Sequence, residues 1–162
     1  MAALGAGALA RTHATAAPTA LALGLEIVTE PDLGERGYGI FQGVNKSALE
    51  DKYPEEYAAY VTADHDYVIP GGESAHQFYT RVVAALGRLG QRHRGEQIVV
   101  VTHRGVLTAT FNHILRLAIN APRRFALPNT RYNLFSDAGD GWPTETHRDH
   151  DHHQNRAPAR TR

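Results

Sequence analysis

Gln97-Ile98-Val99-Val100-Val101-Thr102-His103-Arg104-Gly105-Val106-Leu107 is the segment from which we infer the fold class. It contains four consecutive β-branched residues without alternating polarity, which predicts a strand buried on both faces in the middle of a parallel sheet. A polar cluster ends this run, and apolar residues follow at helical spacing from Val106 onward. We therefore expect His103 at the carboxyl end of a strand, beside the first turn of a helix.

The position of His103 has two interpretations. Open α/β sheets bind ligands in the crevice at the carboxyl ends of their strands, where the unpaired amides of a helix start favour an anion. The alternative is a histidine that only caps a core helix. We expect an anion site, and the capping alternative stays open at this point.

The composition limits the classes of protein. A chain of 162 residues is long enough for one domain with one hydrophobic core. Lys+Arg and Asp+Glu balance at 17 each, so no net charge recruits nucleic acid or an anionic membrane. Cysteine is absent, and no apolar run approaches the roughly 20 residues that span a bilayer. Because the alanine-rich start also lacks the pattern of a signal peptide, we expect a soluble cytoplasmic protein without nucleic-acid or membrane partners.

Hydrophobic periodicity predicts alternating helices and strands. The expected elements are a helix over residues 4–23, a strand over 26–29, short helices within 47–60 interrupted at Pro54, a long amphipathic helix from Ala75 that ends before Gly95, and a strand over 131–135. Trp142 is a candidate start for a last strand. Ser74 should lead into the long helix as its cap, and Ser47 with Glu50 should form a capping box before the first short helix.

Glu35 is the second candidate for chemistry. It lies in residues 33–43, where four glycines in eleven residues exclude a stable helix, and two aromatic residues and an isoleucine attach the segment to a core. An acid in such a loop is a candidate for proton transfer. The alternative is a solvated Glu35 paired with Arg36, which the pattern alone favours.

Two acidic and histidine-rich segments suggest metal binding only weakly. Asp64-His65-Asp66 are adjacent in a loop, so their side chains converge poorly on one ion. The predicted domain covers residues 1–143, and residues 144–162 are too polar to form a core, which predicts a disordered tail. We expect no metal cofactor, with adventitious binding by the tail as a minority alternative. The tail residues concerned are His147, Asp149, His150, Asp151, His152 and His153.

Five motifs together resemble the histidine phosphatase superfamily, also called phosphoglycerate-mutase-like. In chain order they are Leu9-Ala10-Arg11-Thr12 with Thr15-Ala16, Glu35-Arg36-Gly37-Tyr38-Gly39-Ile40-Phe41-Gln42-Gly43, Pro70-Gly71-Gly72-Glu73-Ser74, Val100-Val101-Thr102-His103-Arg104-Gly105-Val106, and Leu127-Pro128-Asn129. None of these motifs is convincing alone. Their common order from Leu9 to Phe135 makes the resemblance specific.

The resemblance implies a three-layer α/β/α fold with a mostly parallel sheet, and phosphomonoester chemistry without metal or cofactor. In this family a nucleophilic histidine in an Arg-His-Gly motif takes the phosphoryl group, and water later releases it. Arg11 resembles the arginine that grips phosphate oxygens, with Arg104 and Gly105 as further substrate-binding residues. His103 resembles the second histidine, which stabilises the phosphoryl oxygens, and Glu35 resembles the acid that protonates the leaving alkoxide.

The chain also departs from the family pattern. No Arg-His-Gly occurs in the 162 residues, so the nucleophile is missing. The family's domain should begin about fifty residues before Arg11 with a strand, a helix and a second strand. We therefore expect a domain that is truncated at its N-terminus and lacks the first strands, as a wrongly placed start or a shifted reading frame would produce. Arg104 replaces the family's usual glycine, which adds a cation beside the pocket or crowds it.

The sequence leaves three candidate functions. We favour a phosphatase acting on a small phosphorylated metabolite, because residues 53–69 contain no arginine where phosphoglycerate mutases carry a pair. The alternatives are a phosphoglycerate mutase, which Gln42-Gly43-Val44-Asn45-Lys46 resembles, and an inactive fragment that binds phosphate. A dinucleotide-binding unit is disfavoured because no Gly-X-Gly-X-X-Gly follows a strand. A homodimer is left open.

Overall fold

A computed structural model describes residues 1–62, 64–119, 121, 132–135 and 148–149 of the chain. Contacts divide the chain into two units, Met1–Arg123 and Arg124–Arg162. Besides three short 3-10 turns, the first unit contains three strands and five α-helices among its described residues. They are β1 (Ala3–Gly7), α1 (Ala10–Leu23), β2 (Ile27–Glu30), α2 (Leu49–Lys52), α3 (Pro54–Val61), α4 (Ala75–Arg92), β3 (Ile98–Val101) and α5 (Arg104–Ile114).

The three strands form a parallel sheet in the order β2-β1-β3. In this register Leu4 lies beside Ile27 on one side and Val99 on the other. Because all three strands are parallel, their carboxyl ends meet at one edge of the sheet. The predicted α/β class and the predicted strand at Ile98–Val101 are confirmed, and His103 follows that strand directly at the start of α5.

The predicted helix over residues 4–23 is wrong in its first part. Ala3–Gly7 is a strand, and it lies at the centre of the sheet, whereas the helix begins only at Ala10 and runs through Pro18. Alanine favours helices in isolation, but Gly5 and Gly7 weaken that preference, and pairing with two neighbouring strands decides the conformation. As a result, Arg11 lies in the first turn after a strand, as Arg104 does after β3.

The sheet is covered on both faces. Leu4 and Ala6 are fully buried against Ala16 of α1 on one face. On the other face, Leu89 and Arg92 of α4 lie across a small, mainly apolar cavity from Gly5. Helices on the two faces make three layers around the central strand. Among the described residues, no helix combines the length and the apolar character needed to cross a membrane.

The long helix α4 begins as predicted. The Ser74 hydroxyl accepts a hydrogen bond from the Gln77 amide at 3.0 Å, and the Gln77 side chain accepts one from the Ser74 amide at 2.9 Å. These two bonds form a capping box. The helix then buries the apolar stripe Phe78, Val82, Ala85, Leu86 and Leu89.

The short helices occur where the sequence predicts them, with the interruption at Pro54. The capping box of Ser47 and Glu50 is wrong, because Asn45 caps this turn and its side chain accepts from the Ser47 amide at 3.3 Å. An asparagine at that position satisfies the free amide as well as a serine does. The two helices cover a second core centred on Phe41, Leu49 and Ile69.

In the second unit, β4 (Tyr132–Asn133) pairs antiparallel with β5 (Arg148–Asp149). The strand predicted over residues 131–135 is therefore present at its centre. Arg148 and Asp149 belong to the segment that the sequence assigns to a disordered tail, and here they form a two-residue strand. The four tail histidines lie outside the described residues, as do Trp142 and the Leu127-Pro128-Asn129 motif.

Candidate active site

Arg11 and His103 are in direct contact at the carboxyl edge of the sheet. Arg11 is exposed in the first turn of α1, and its Nε and Nη2 atoms lie 3.3 Å and 3.2 Å from Nδ1 of His103. His103 is 6% exposed and is the N-cap residue of α5. The two residues are 92 positions apart in the sequence. They meet because β1 and β3 are adjacent and parallel.

The contact determines the protonation of the His103 ring. A guanidinium group only donates hydrogen bonds, so Nδ1 accepts and the ring proton lies on Nε2. Burial lowers the pKa of His103, the positive charge of Arg11 lowers it further, and Glu35 acts in the opposite direction. The pKa of His103 lies below its ordinary value of 6.5 as a result. The imidazole is therefore neutral near pH 7.

Nε2 of His103 points inward and has no hydrogen-bond partner among the described residues. It lies against Gly7, where an added Cβ would come 3.2 Å from Nε2 and 2.9 Å from the Leu33 carbonyl oxygen. A buried N–H without a hydrogen-bond partner costs free energy. In the other neutral tautomer the proton would lie on Nδ1, so two donors, Nδ1–H and the Arg11 guanidinium, would face each other. Neither neutral form satisfies both ring nitrogens, which is a feature typical of functional sites.

Glu35 lies beside the same helix start. Its carboxylate accepts hydrogen bonds from the Arg36 amide at 3.0 Å and from the Gly105 amide at 3.2 Å. The second bond places a carboxylate oxygen on the first turn of α5, two residues from His103. The structure therefore brings Arg11, His103 and Glu35 to one edge of the sheet. The alternative of a solvated Glu35 paired only with Arg36 does not fit, because the Glu35 carboxylate also binds the Gly105 amide.

Gly105 makes this approach possible. A Cβ on residue 105 would overlap a Glu35 carboxylate oxygen and would lie 3.2 Å from the Phe78 ring. Only glycine leaves room for the carboxylate to reach the helix amide. Gly105 supplies this space and its amide at the start of α5, and its role toward a substrate stays a prediction.

Arg104 occupies the first position of α5 and is exposed. Within the described ranges its guanidinium has no hydrogen-bond or ion-pair partner, so the charge faces solvent next to His103. It does not crowd the contact between Arg11 and His103. Its role toward a substrate stays a prediction.

A network that the sequence did not predict supports the Glu35 loop. The Arg81 guanidinium of α4 binds the Glu73 carboxylate, and Arg36 donates to the Glu73 carbonyl oxygen at 3.1 and 3.2 Å. Glu73 belongs to the Pro70-Gly71-Gly72-Glu73-Ser74 motif. From sequence alone this motif predicts only a turn that leads into a helix cap. No sequence signal marks Arg81, because an arginine on an amphipathic helix ordinarily faces solvent.

The side chains at the candidate site are not a set that typically binds a metal ion. In the part of the chain that the structure describes, no three histidine or carboxylate side chains converge on one point. Asp64, His65 and Asp66 do not form such a group, and Asp66 instead contacts His76 at 2.8 Å. The site combines a guanidinium, an imidazole and helix amides, which suit an oxyanion.

This geometry defines an α/β protein with a candidate oxyanion site where two parallel strands end. The model of the histidine phosphatase superfamily (branch 1) matches residues 2–150, and the chain belongs to this family. The resemblance drawn from the five motifs is therefore confirmed.

Relatives named as phosphatases and as phosphoglycerate mutases match this chain. Phosphoglycerate mutase-like protein 4 of Arabidopsis thaliana is 38% identical over 130 residues, which cover 79% of this chain and 55% of that protein. Phosphoserine phosphatase 1 of Hydrogenobacter thermophilus is 30% identical over 126 residues, covering 78% of this chain and 60% of that protein. The chain thus spans little more than half the length of these two curated relatives.

A solved structure supports the fold. The alpha-ribazole phosphatase from Shigella flexneri matches with a TM-score of 0.78 and 21% identity, over 89% of this chain and 71% of that chain. At this identity the similarity concerns the fold alone. It supports the α/β fold described above.

Proposed function

We propose that this site binds the phosphoryl group of a small phosphorylated metabolite between Arg11 and His103. The observation that carries the proposal is the contact of the Arg11 guanidinium with Nδ1 of a buried His103. A phosphate dianion placed between them would accept hydrogen bonds from both groups. Protonation of His103 would turn Nδ1 into a donor, and the anion would offset the repulsion from Arg11.

Glu35, in the form that carries a proton, is the proposed proton donor to the leaving oxygen. Its carboxyl group lies on the Gly105 amide at the same helix start, so an ester oxygen projecting from the phosphoryl group would be within its reach. His103 stabilises the phosphoryl oxygens in this proposal, and Arg11 orients them. Arg104 and Gly105 complete the substrate-binding residues.

Hydrolysis of a phosphomonoester through a phosphohistidine is the proposed activity of the whole protein. Family membership and relatives named as phosphoserine phosphatases support it. Phosphoglycerate mutase is the second candidate, because one relative with that name and another named phosphoglycerate mutase-like also match. The absence of arginine from residues 53–69 favours the phosphatase.

A third candidate is phosphate binding without turnover. The tripeptide Arg-His-Gly does not occur in the 162 residues, and His13 and His93 lie within α1 and at the end of α4 rather than after a strand. We infer that neither is the nucleophile. For this chain by itself, the proposal therefore predicts phosphate binding, with turnover only when a nucleophilic histidine is supplied.

The test is a calorimetric titration of the chain with inorganic phosphate and with vanadate, followed by assays on a panel of phosphomonoesters. Arg11→Gln and His103→Asn should each weaken binding at least about tenfold, the scale of one lost charge-assisted hydrogen bond. Arg94→Gln and His93→Asn are matched controls away from the sheet edge and should leave binding unchanged. Equal binding by all four variants would contradict the proposal.

The activity is tested separately in a longer version that carries an Arg-His-Gly motif. The proposal expects that version to release phosphate from small phosphomonoesters. Turnover of phosphoglycerate mutase substrates alone, with no phosphatase activity, would favour the second candidate instead.

A further inference from the structure

Arg81 on α4 is the centre of a hydrogen-bond network that leads to Glu35. Its side chain is 25% exposed and binds the Glu73 carboxylate with two bonds. Nε lies 3.0 Å from Oε2, and Nη2 lies 2.7 Å from Oε1. A paired guanidinium and carboxylate of this kind has a fixed relative orientation, because two parallel bonds define the plane of both groups.

The same guanidinium also binds the backbone of the Glu35 loop. Nη1 donates to the carbonyl oxygens of Asp32 at 2.7 Å and Gly34 at 3.1 Å, and Nη2 donates to that of Glu35 at 3.1 Å. These carbonyls belong to the residues that precede and include the candidate acid. Arg81 therefore ties the path of the loop to a long, well-packed helix.

Glu73 holds the loop from the other side of Glu35. Its Oε1 accepts from the Gly37 amide at 2.8 Å, and its carbonyl oxygen accepts from Arg36. Burial raises the pKa of Glu73, but the bonds from Arg81 and Gly37 and the charges of Arg81 and Arg36 outweigh it, so the pKa lies below 4.5. Glu73 is thus ionised at neutral pH, and the pair stays charged.

We propose that Arg81, with Glu73 as its partner, is a positioning residue that holds the Glu35 carboxylate against the first turn of α5. The arrangement is specific to that task, because the bonds of the pair reach the backbone before, at and after Glu35. The proposal rests on the proposed function, in which Glu35 acts on the phosphoryl group. An arginine that only stabilises the fold would not control where the Glu35 charge lies relative to His103.

The test uses the pKa of His103, measured by NMR titration of its ring in the full chain without ligand. The charged groups that act on this ring are Arg11 and Glu35, and Glu35 raises the pKa. Glu35→Gln should therefore lower the pKa of His103. If Arg81 positions Glu35, Arg81→Lys should also lower it, and Arg81→Lys added to Glu35→Gln should lower it no further.

Arg88→Gln is the matched control. Arg88 is also on α4 and contacts the Asp32 side chain, but it does not bind the loop carbonyls. It should leave the pKa of His103 unchanged. In the same samples, Arg81→Lys should speed hydrogen exchange of the Gly37 and Gly105 amides by about tenfold or more, as the loss of one hydrogen bond allows.

An unchanged pKa of His103 in Arg81→Lys, alongside a lower one in Glu35→Gln, would overturn the proposal. Glu73→Gln is the second variant and should act in the same direction as Arg81→Lys, because it weakens the same pair. If both variants unfold, the role of Arg81 is structural, and the proposal that it positions Glu35 is also overturned. The proposed function fails separately, if the wild-type chain does not bind phosphate.

Discussion

The Arg11 guanidinium donates hydrogen bonds to Nδ1 of His103 at 3.2 and 3.3 Å, and the lone pair of Nδ1 accepts them. A cation and a histidine in contact repel each other once the histidine is protonated. The arrangement is stable without ligand only while His103 is neutral. We therefore expect the site to respond to pH and to anions.

Arg11→Gln should raise the pKa of His103. The variant removes a positive charge that lowers this pKa, while burial continues to lower it. The measurement is an NMR titration of the histidine rings, with Arg94→Gln as a control that leaves the pKa of His103 unchanged. A lower pKa in Arg11→Gln would contradict the described contact.

The stability of the folded chain should depend on His103 with a definite sign. Because the pKa of His103 is lower in the folded state than its unfolded value near 6.5, the unfolded chain binds the proton more readily. The contribution of His103 is therefore complete above pH 6.5 and is lost as pH falls toward the folded pKa. Denaturant unfolding at several pH values should show a shallower fall across this window in His103→Gln than in the wild type.

Phosphate binding should be accompanied by proton uptake. An anion between Arg11 and His103 needs Nδ1 as a donor, and its negative charge favours the doubly protonated imidazolium over the neutral Nδ1–H tautomer, so we expect the imidazole to gain a proton when phosphate binds. Calorimetry in two buffers of different ionisation enthalpy should give different binding enthalpies, and the difference should disappear in His103→Asn. Equal enthalpies for the wild-type chain in both buffers would count against this binding mode.

Gly7→Ala and Gly5→Ala should have opposite effects, although both lie in β1. A Cβ on Gly7 would lie 2.9 Å from the Leu33 carbonyl oxygen, so we expect a loss of about 1–3 kcal/mol in the free energy of unfolding. A Cβ on Gly5 meets only ordinary contacts, the nearest at 3.6 Å, and should be neutral or stabilise by up to about 1 kcal/mol. Denaturant unfolding of the two variants checks this, and equal losses would show that β1 is placed wrongly.

Ser74→Ala should cost about 1 kcal/mol of unfolding free energy, because it removes the buried capping hydroxyl of α4. Ser47→Ala is the comparison. Ser47 is exposed and does not cap a helix, so its substitution should stay within about 0.5 kcal/mol. A larger loss for Ser47→Ala than for Ser74→Ala would reverse the assignment of the two caps.

The central strand β3 and the helix after it could be predicted from sequence because their patterns are local. A β-branched run, a polar break and a helical period place His103 without any knowledge of tertiary contacts. The strand β1 could not be predicted in this way. Its residues are small and rich in alanine, and they form a strand only because β2 and β3 pair with it on both sides.

The same distinction applies to the site. Arg11, Glu35 and His103 could be selected because motif order across the chain identifies them, and the structure brings them to one edge of the sheet. Arg81 could not be selected, because its importance comes from carbonyl groups 46 to 49 positions away in the sequence. Residues that act through backbone contacts leave no periodic signal.

The most direct test of the proposed phosphoryl site is a crystal structure of this chain grown with vanadate. We expect one vanadate at the carboxyl edge of the sheet, with oxygen atoms about 2.7–3.2 Å from both the Arg11 guanidinium and Nδ1 of His103. Vanadate bound elsewhere, with the direct contact of Arg11 and His103 intact, would contradict it.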